Sequence, residues 1–445
     1  MKKLIFVPTI LVLIPMAIFA QLDISGDLTP SGMLRISDAS LIDLPFRLGN
    51  IAVDYGYGDF ELKTVTALET RWKDPEINAD MFKLREAYLM WYPNFGEVKL
   101  GKMIHAWGAA DANNPTDNIS PYDYYYMFLT GTDRKQGSLS LAVKTYLSDF
   151  QIEVVTLPEF AANRFPLNEP DFPINIPIPE DARYFYPENE FEFGARVQYI
   201  MGIGDLSASY FKGNDRSFSP AGLKIDPISL ALGGSPFISH LTYRETDVFG
   251  MDAVLFPGNW TLRGEFAYFR TTTPDIDYDM SKFIYDAEYL QSVVQVEYAF
   301  PNTVQLMAQF ISNNTQKLET SMEMEMMLQD TSNHSFDPIR AQLLQTGVPE
   351  FSAGMGTPFA LIADQVIILS SMVTLFDNSL ELKGMFMVNL EQTGYMANIG
   401  STYSIMEGVN LETTLGYFIG GDEEGNKFKQ LEDFSNLNLG ISYSF

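Results

Sequence analysis

The sequence predicts an all-β chain closed into one antiparallel up-and-down barrel of about eighteen strands, with sixteen as the alternative count. Three observations carry that expectation. The final stretch sets Leu437, Leu439, Ile441, Tyr443 and Phe445 on one parity and Asn436, Asn438, Gly440, Ser442 and Ser444 on the other. As a strand it therefore has one apolar face and one small or polar face. Tight turns alternate with longer connections along the whole chain. Beyond the first twenty residues no apolar run approaches the ~20 residues of a spanning helix, which excludes a helical membrane protein.

The tight turns are Gly56-Tyr57-Gly58-Asp59, Pro93-Asn94-Phe95-Gly96, Ser148-Asp149, Gly202-Ile203-Gly204-Asp205, Pro257-Gly258-Asn259, Pro301-Asn302, Asp377-Asn378 and Glu407-Gly408. Each carries the Gly, Pro, Asn or Asp that a hairpin turn needs. Eight such turns and nine longer connections make an even strand count. Both termini then lie on the side of the short turns, which is periplasmic in a bacterial barrel, and the long loops face outward.

The strands between the turns are two-sided. Glu190, Glu192, Gly194, Arg196 and Gln198 alternate with Phe191, Phe193, Ala195, Val197 and Tyr199. Glu381, Lys383 and Asn389 alternate with Leu380, Leu382, Phe386, Val388 and Leu390, and Ser138, Ser140, Ala142 and Lys144 with Leu139, Leu141, Val143 and Leu147. An ion facing hydrocarbon at mid-depth costs roughly 2–4 kcal/mol, so the charged parity faces inward and the apolar one faces lipid. That interior is a watery lumen. Adjacent Arg85 and Glu86 break the alternation and predict a bulge, while Lys99 and Lys102, on opposite parities, predict a bulge or a membrane-edge position.

Residues 1–20 read as a secretory signal peptide: basic Lys2-Lys3, an apolar stretch interrupted by Pro8 and Pro15, and a small-residue end at Ala17-Ile18-Phe19-Ala20, with cleavage expected after Ala20. Residues 21–445 then form a single domain. The 445-residue chain has no cysteine, which removes disulfides, thiolate metal sites, a cysteine nucleophile and a lipoprotein anchor. Its 23 Tyr and 33 Phe suit aromatic girdles. A net charge of −28 argues against nucleic acid as a partner. It fits solvated acidic loops, and also a field favouring cations at a pore mouth.

The closing stretch resembles the last strand of Gram-negative outer-membrane β-barrels, which typically ends in Phe. The resemblance implies that Tyr443 and Phe445 are the signal read by the barrel-assembly machinery, and that outer-membrane lipid surrounds the chain. A second stretch runs Leu84-Arg85-Glu86-Ala87-Tyr88-Leu89, Lys99-Leu100-Gly101-Lys102, His105-Ala106-Trp107-Gly108 and Asn113-Asn114-Pro115-Thr116-Asp117. It resembles porin-like families in which an Arg-Glu-Ala-Tyr strand pairs with a Leu-Gly-Lys strand leading to Trp-Gly and an Asn-Pro turn. What that implies is a lumen-lining hairpin to which Arg85, Glu86, Lys99 and Lys102 contribute charge; a plain wall-stabilising ladder is the competing reading.

Among the loops, Asp111, Asn113, Asn114, Asp117, Asn118 and Asp123 offer oxygens to a hard cation but lack the spacing of a Ca²⁺ loop, so Asx turns around Pro115 and Pro121 are favoured and no metal is expected. The proline-rich stretch 158–187 is expected to lie over the barrel mouth. The stretch 215–242 is apolar for an external loop, with Leu223, Ile225, Ile228, Leu230, Leu232, Phe237 and Ile238, and needs shelter or a ligand. From Leu318 to Leu344 the pattern is helix-like, and Met322, Met324, Met326 and Met327 are candidates for a soft gate or for an amphipathic cap on the rim. His105, His240 and His334 lie far apart without ligand spacing or a nucleophile elbow, and read as solvated loop histidines. No cofactor and no enzyme activity are expected.

Together these features lead to the expectation of a porin-like channel. Small polar or charged solutes would diffuse passively through a lumen narrowed by infolded loops. Charged rings drawn from Arg85, Glu86, Lys99, Lys102, Glu192, Arg196, Arg263, Glu265, Glu381 and Lys383 would bias the traffic. The alternatives are a transporter for hydrophobic small molecules, suggested by the apolar and Met-rich loops, and a surface adhesin or structural barrel. A homo-oligomer is compatible with each.

Overall fold

The computed structural model describes residues 21–73, 81–111, 113–167, 169–174, 182–225, 237–322 and 351–445. The leader, Met324, Met326, Met327 and His334 lie outside the described residues. The chain opens with β1 (Gln21–Leu28), β2 (Ser31–Arg35) and the short β3 (Leu41–Ile42). The wall continues through β4 (Phe46–Tyr57), β5 (Phe60–Thr70), β6 (Phe82–Trp91), β7 (Gly96–Met103), β8 (Ser138–Leu147) and β9 (Phe150–Leu157). A short β10 (Arg183–Phe185) precedes β11 (Glu192–Met201) and β12 (Gly204–Asn214), and a hairpin of β13 (Ser219–Ile225) and β14 (Phe237–Thr242) follows. The wall resumes with β15 (Glu245–Leu255), β16 (Trp260–Thr272), β17 (Ser281–Ala299), β18 (Val304–Met322), β19 (Gln365–Leu375) and β20 (Leu380–Asn389). It ends with β21 (Gly394–Met406), β22 (Val409–Gly420) and β23 (Asn436–Ser444).

Each wall strand pairs antiparallel with the next, and β23 closes the ring on β1 and β2. Counting β1 and β2 as one stave broken at Thr29-Pro30, with β3, β10, β13 and β14 outside the wall, the barrel has eighteen staves. All eight expected tight turns connect neighbouring staves at one end. At the 376–378 turn, Phe376, Asp377 and Asn378 are all left-handed without a glycine, a conformation Asp and Asn tolerate better than most residues.

The two faces of each strand keep their parity around the wall. On β23 Leu439, Ile441, Tyr443 and Phe445 are exposed on the outside, whereas Asn436, Gly440 and Ser442 are buried inside. Aromatic pairs mark the tight-turn rim, with Phe60 against Trp91, Phe150 against Tyr199 and Trp260 against Tyr298. A continuous exposed apolar belt of this kind belongs in a bilayer. The expected bulge lies between β5 and β6: Val65 faces Glu86 and Thr66 faces Leu84, so Arg85 is the extra residue. The bulge lets Arg85 and Glu86 both turn inward while Leu84 and Leu89 stay outside.

Several expectations need correction. The interior is not uniformly wet. At the long-loop half, Val293, Ile311, Val366, Ile368, Met387, Met396 and Phe418 point inward and form a packed core with loop residues Tyr124, Met127, Phe359, Ile362, Phe428, Leu431 and Phe434. At the tight-turn half the same inner parity carries Ser370, Lys383, Asn398, Thr402 and Glu412. Averaging each strand over its length hides this change with height. The helix-like reading from Leu318 also fails where it can be checked: β18 remains extended to Met322. Among the described residues the α-helix is α1 (Lys427–Leu431), in the loop before β23, capped by Asn426 and packed through Phe428 and Leu431. Of the apolar stretch 215–242, the described parts form the paired strands β13 and β14, which β10 extends in parallel and which pair with the upper part of β17; Ile228, Leu230 and Leu232 lie outside the described residues.

The seam between first and last staves predicts a mutational outcome. Gly26 and Phe445 exchange two backbone hydrogen bonds of 3.0 Å, and the Phe445 ring lies so close over Gly26 that a Cβ there would come within 2.8 Å of it. Deleting Phe445 removes both bonds and the ring. A loss of roughly 2–3 kcal/mol is expected, read as a lower urea midpoint in detergent; an unchanged midpoint contradicts the assignment of the seam.

Candidate channel constriction

The site is built by loops that enter the barrel from its long-loop end. The main one, residues 104–137, leaves β7 and returns to β8 on one side, yet its tip docks on β16, β17 and β18 across the lumen. Buried Glu265 of β16 receives it. The carboxylate accepts hydrogen bonds from the backbone N–H groups of Ala109 and Ala110, from Asn114 Nδ2 (2.9 Å) and from Thr116 Oγ1 (2.8 Å). A carboxylate buried without a cation is tolerated only when donors surround it in this way. Gly108, at φ +98°, is required for the approach, since a Cβ would meet a Glu265 oxygen at 2.6 Å.

Two inward amides of the neighbouring staves extend the dock. Gln295 accepts from the Asp111 N–H (3.0 Å) and donates to Asp111 Oδ2 (3.0 Å). Gln309 donates to the Asp111 carbonyl (3.0 Å) and accepts from Asn113 Nδ2 (3.0 Å). Arg263 Nη1 reaches Asp111 Oδ1 at 2.7 Å while its Nε lies 3.1 Å from Glu297.

A second segment, 351–364, covers the same side. Gly356 N–H donates to Asn118 Oδ1 (3.0 Å), and Gln291 bonds Thr357 N–H (2.8 Å) and the Met355 carbonyl (3.1 Å). Of the proline-rich stretch, the described residues 158–167 and 169–174 lie over the mouth. Arg164 joins Asp123 (2.9 Å) to Glu69 (3.1 Å), Phe165 stacks on Tyr124, and Glu169 pairs with Arg71 and accepts from Tyr125. Buried pairs tie the loops together: Glu192 with Arg216, Asp215 with Arg244 and Asp117 with Lys135, each 2.7 Å. Burial pushes the Lys135 ammonium below its ordinary value and Asp215 above its own, and the opposite charges restrain both shifts.

The charged residues singled out from sequence do not form one ring. Glu265 and Arg263 belong to the dock. Glu192 is committed to Arg216, and Glu86 accepts from the Ile104 N–H at the root of the loop, where Arg85 pairs with Asp133 at 3.3 Å. Arg196 pairs with Asp252 (2.8 Å), Lys99 with Glu97 (3.5 Å) and Lys383 with Glu381 (2.6 Å), all in the tight-turn half. Lys102 is a correction. It lies opposite Ala87 and Leu139, on the outward parity at the long-loop end of β7, so it is a membrane-edge residue and not a lumen one. Met322 ends β18 on the rim side.

The oxygen-rich stretch is spoken for by protein partners. Asp111, Asn113, Asn114 and Asp117 make the contacts above, Asn118 donates to the Pro115 carbonyl, and Asp123 accepts from Tyr125 N–H in an Asx turn. No group of three potential metal ligands occurs among the described residues. Sequence reasoning missed Gln291, Gln295 and Gln309, although three uncharged amides on the inward parity of two adjacent strands were a readable signal.

His105 and His240 are buried, not solvated. His105 Nε2 lies 2.8 Å from Ser140 Oγ. Burial, with Lys135 nearby, pushes its imidazole down to about 3.

No protein-family model and no curated protein sequence matches the chain. Its fold does match solved structures. OpdK from Pseudomonas aeruginosa, an outer membrane protein, aligns over 96% of this chain and 99% of its own with TM-score 0.51 and 10% identity. OccAB3 from Acinetobacter baumannii aligns over 96% and 100%, with TM-score 0.52 and 9% identity. A BenF-like porin from Pseudomonas fluorescens Pf-5 aligns over 96% and 99%, with TM-score 0.50 and 9% identity.

His105 sets a pH dependence. Its native value lies below the ordinary 6.5, so the unfolded chain binds the proton first. The stability that neutral His105 contributes is complete above about 6.5 and is lost as pH falls toward about 3. His105→Gln should flatten the urea midpoint across that window; parallel profiles for both proteins contradict the assignment.

Proposed function

From the fold that the chain shares with outer-membrane porins of Gram-negative bacteria, we propose that it is a porin-like channel through which small polar or charged solutes diffuse passively. The observation that carries this reading is the dock on Glu265. It fixes a loop across a barrel whose tight-turn half is polar, the arrangement that turns a wide cylinder into a narrow aqueous path. Export would use the leader, cleaved after Ala20, and assembly would use Tyr443 and Phe445 as the signal to the barrel-assembly machinery. The assembled protein, alone or as a homo-oligomer, would sit in outer-membrane lipid. No catalytic step, cofactor or nucleic-acid partner is part of the proposal.

The tight-turn vestibule is acidic on balance. Asp27, Asp54, Asp205, Glu297, Glu381 and Glu412 share the inner face with Lys63, Lys99, Lys144 and Lys383. An excess of carboxylates in a confined space raises the local concentration of cations. The packed apolar core of the long-loop half supports a second reading, a path for hydrophobic small molecules through the Tyr124, Met127, Phe359 and Phe418 region. Nothing among the described residues favours an adhesin.

Reversal potential across a planar bilayer under a salt gradient separates these readings. The channel reading expects steady ohmic current with cation preference, reduced by Asp54→Asn together with Glu412→Gln. Anion preference contradicts the assignment of the vestibule. A barrel that carries no current while binding apolar solutes supports the second reading.

A further inference from the structure

The outer wall carries an ionic row that the channel reading does not use. On one cross-strand line Lys212 of β12 faces Asp247 of β15, Asp247 faces Arg270 of β16, Arg270 faces Glu288 of β17, and Glu288 faces Lys317 of β18. All five are on the outward parity, so charge alternates across five adjacent staves on the lipid side. A bulge makes the last member: Gln316 is skipped in the pairing of β17 with β18, which places Lys317 opposite Glu288.

The height of the row identifies its surroundings. Trp260, at the tight-turn rim, and Arg270 lie on the same strand, ten residues apart. That is about 33 Å along the strand and about 25 Å along the barrel axis at a tilt near 40°, the height of a barrel's apolar band. Directly inside the row comes an aromatic line, Tyr210, Phe249 and Tyr268, with Tyr210 and Phe249 rings 4.9 Å apart. The row therefore lies at the headgroup level of the leaflet on the long-loop side.

The row is also biased. Its carboxylates are held by the aromatic line, since Tyr210 Oη donates to Asp247 and Tyr268 Oη donates to Glu288, each at 2.5 Å. The cations are freer. Lys212 lies 3.9 Å from Asp247 with its side chain 68% exposed, and Lys317 pairs along its own strand with Glu319 while 56% exposed. Exposed Arg270 makes no ion pair within 4.0 Å among the described residues. The cations stand two staves apart, about 10 Å.

We propose that Lys212, Arg270 and Lys317 form a binding surface for the phosphate groups of outer-leaflet glycolipid. The phosphates sit against the cations, the acyl chains run down the belt below the Tyr210–Phe249–Tyr268 line, and the tyrosines hold Asp247 and Glu288 by hydrogen bonds, which weakens their hold on the cations without removing their charge. Native mass spectrometry of the folded full chain in detergent tests this with lipid A and with dephosphorylated lipid A as probes. Native protein is expected to retain lipid A and to lose it roughly 100-fold on Lys212→Gln, Arg270→Gln and Lys317→Gln together, with a comparable preference over the dephosphorylated probe. Equal retention by the triple variant, or equal retention of both probes, overturns the proposal. The complementary variant, Asp247→Asn with Glu288→Gln, is expected to bind lipid A more tightly and decides the matter if the triple variant does not fold. Weaker binding by that variant overturns the proposal, because it makes the row a wall-bracing ladder.

Discussion

A chain that folds a loop into its own barrel must satisfy, away from bulk water, every donor that loop brings with it. Glu265 is how this chain meets that requirement. An ionised carboxylate accepts and never donates, so one side chain serves the N–H groups of Ala109 and Ala110, the Asn114 amide and the Thr116 hydroxyl at once. Its own burial is offset by the same bonds. Gly108 lets the backbone come close enough, and Gln295 and Gln309 repeat the arrangement with neutral amides for Asp111 and Asn113. The segment around Gly356 then stacks on Asn118 and Gln291. Remove the central acceptor and the outer layers lose their platform.

The docking also explains the two-level interior. Where loops fill the cylinder, inward side chains such as Ile311, Val366, Met387 and Phe418 meet other side chains and gain from being apolar. Below the loops the same parity meets water, and Lys383, Asn398 and Glu412 stand there instead. Buried ion pairs between Glu192 and Arg216, and between Asp215 and Arg244, contribute modestly to net stability but penalise any arrangement that parts them. They fix which loop packs where.

Much of this was legible in the chain itself. Strand parity gave the sidedness of β23, the eight tight turns gave the stave count, and the Arg85-Glu86 step gave a bulge. Each is a local signal, carried by residues within ten positions of one another. The infolding was not legible, because Ala110 and Glu265 are joined across 155 positions and nothing periodic marks either. Glu265 read as one more lumen charge for that reason. The Leu-Gly-Lys motif points Lys102 inward, whereas its parity with Leu100 points outward, and parity prevails. His105 looked solvated because sequence does not show which loops are covered.

Single-channel conductance of Glu265→Leu is the most direct test of the account. Leucine is of similar size but offers no acceptor, so the Ala109 and Ala110 N–H groups, the Asn114 amide and the Thr116 hydroxyl lose their shared partner. The tip at 108–116 should leave β16, and conductance should rise several-fold with added open-channel noise, while the folded yield stays near that of the native chain. A well-folded variant with native conductance and native noise would show that the loop on Glu265 does not bound the path.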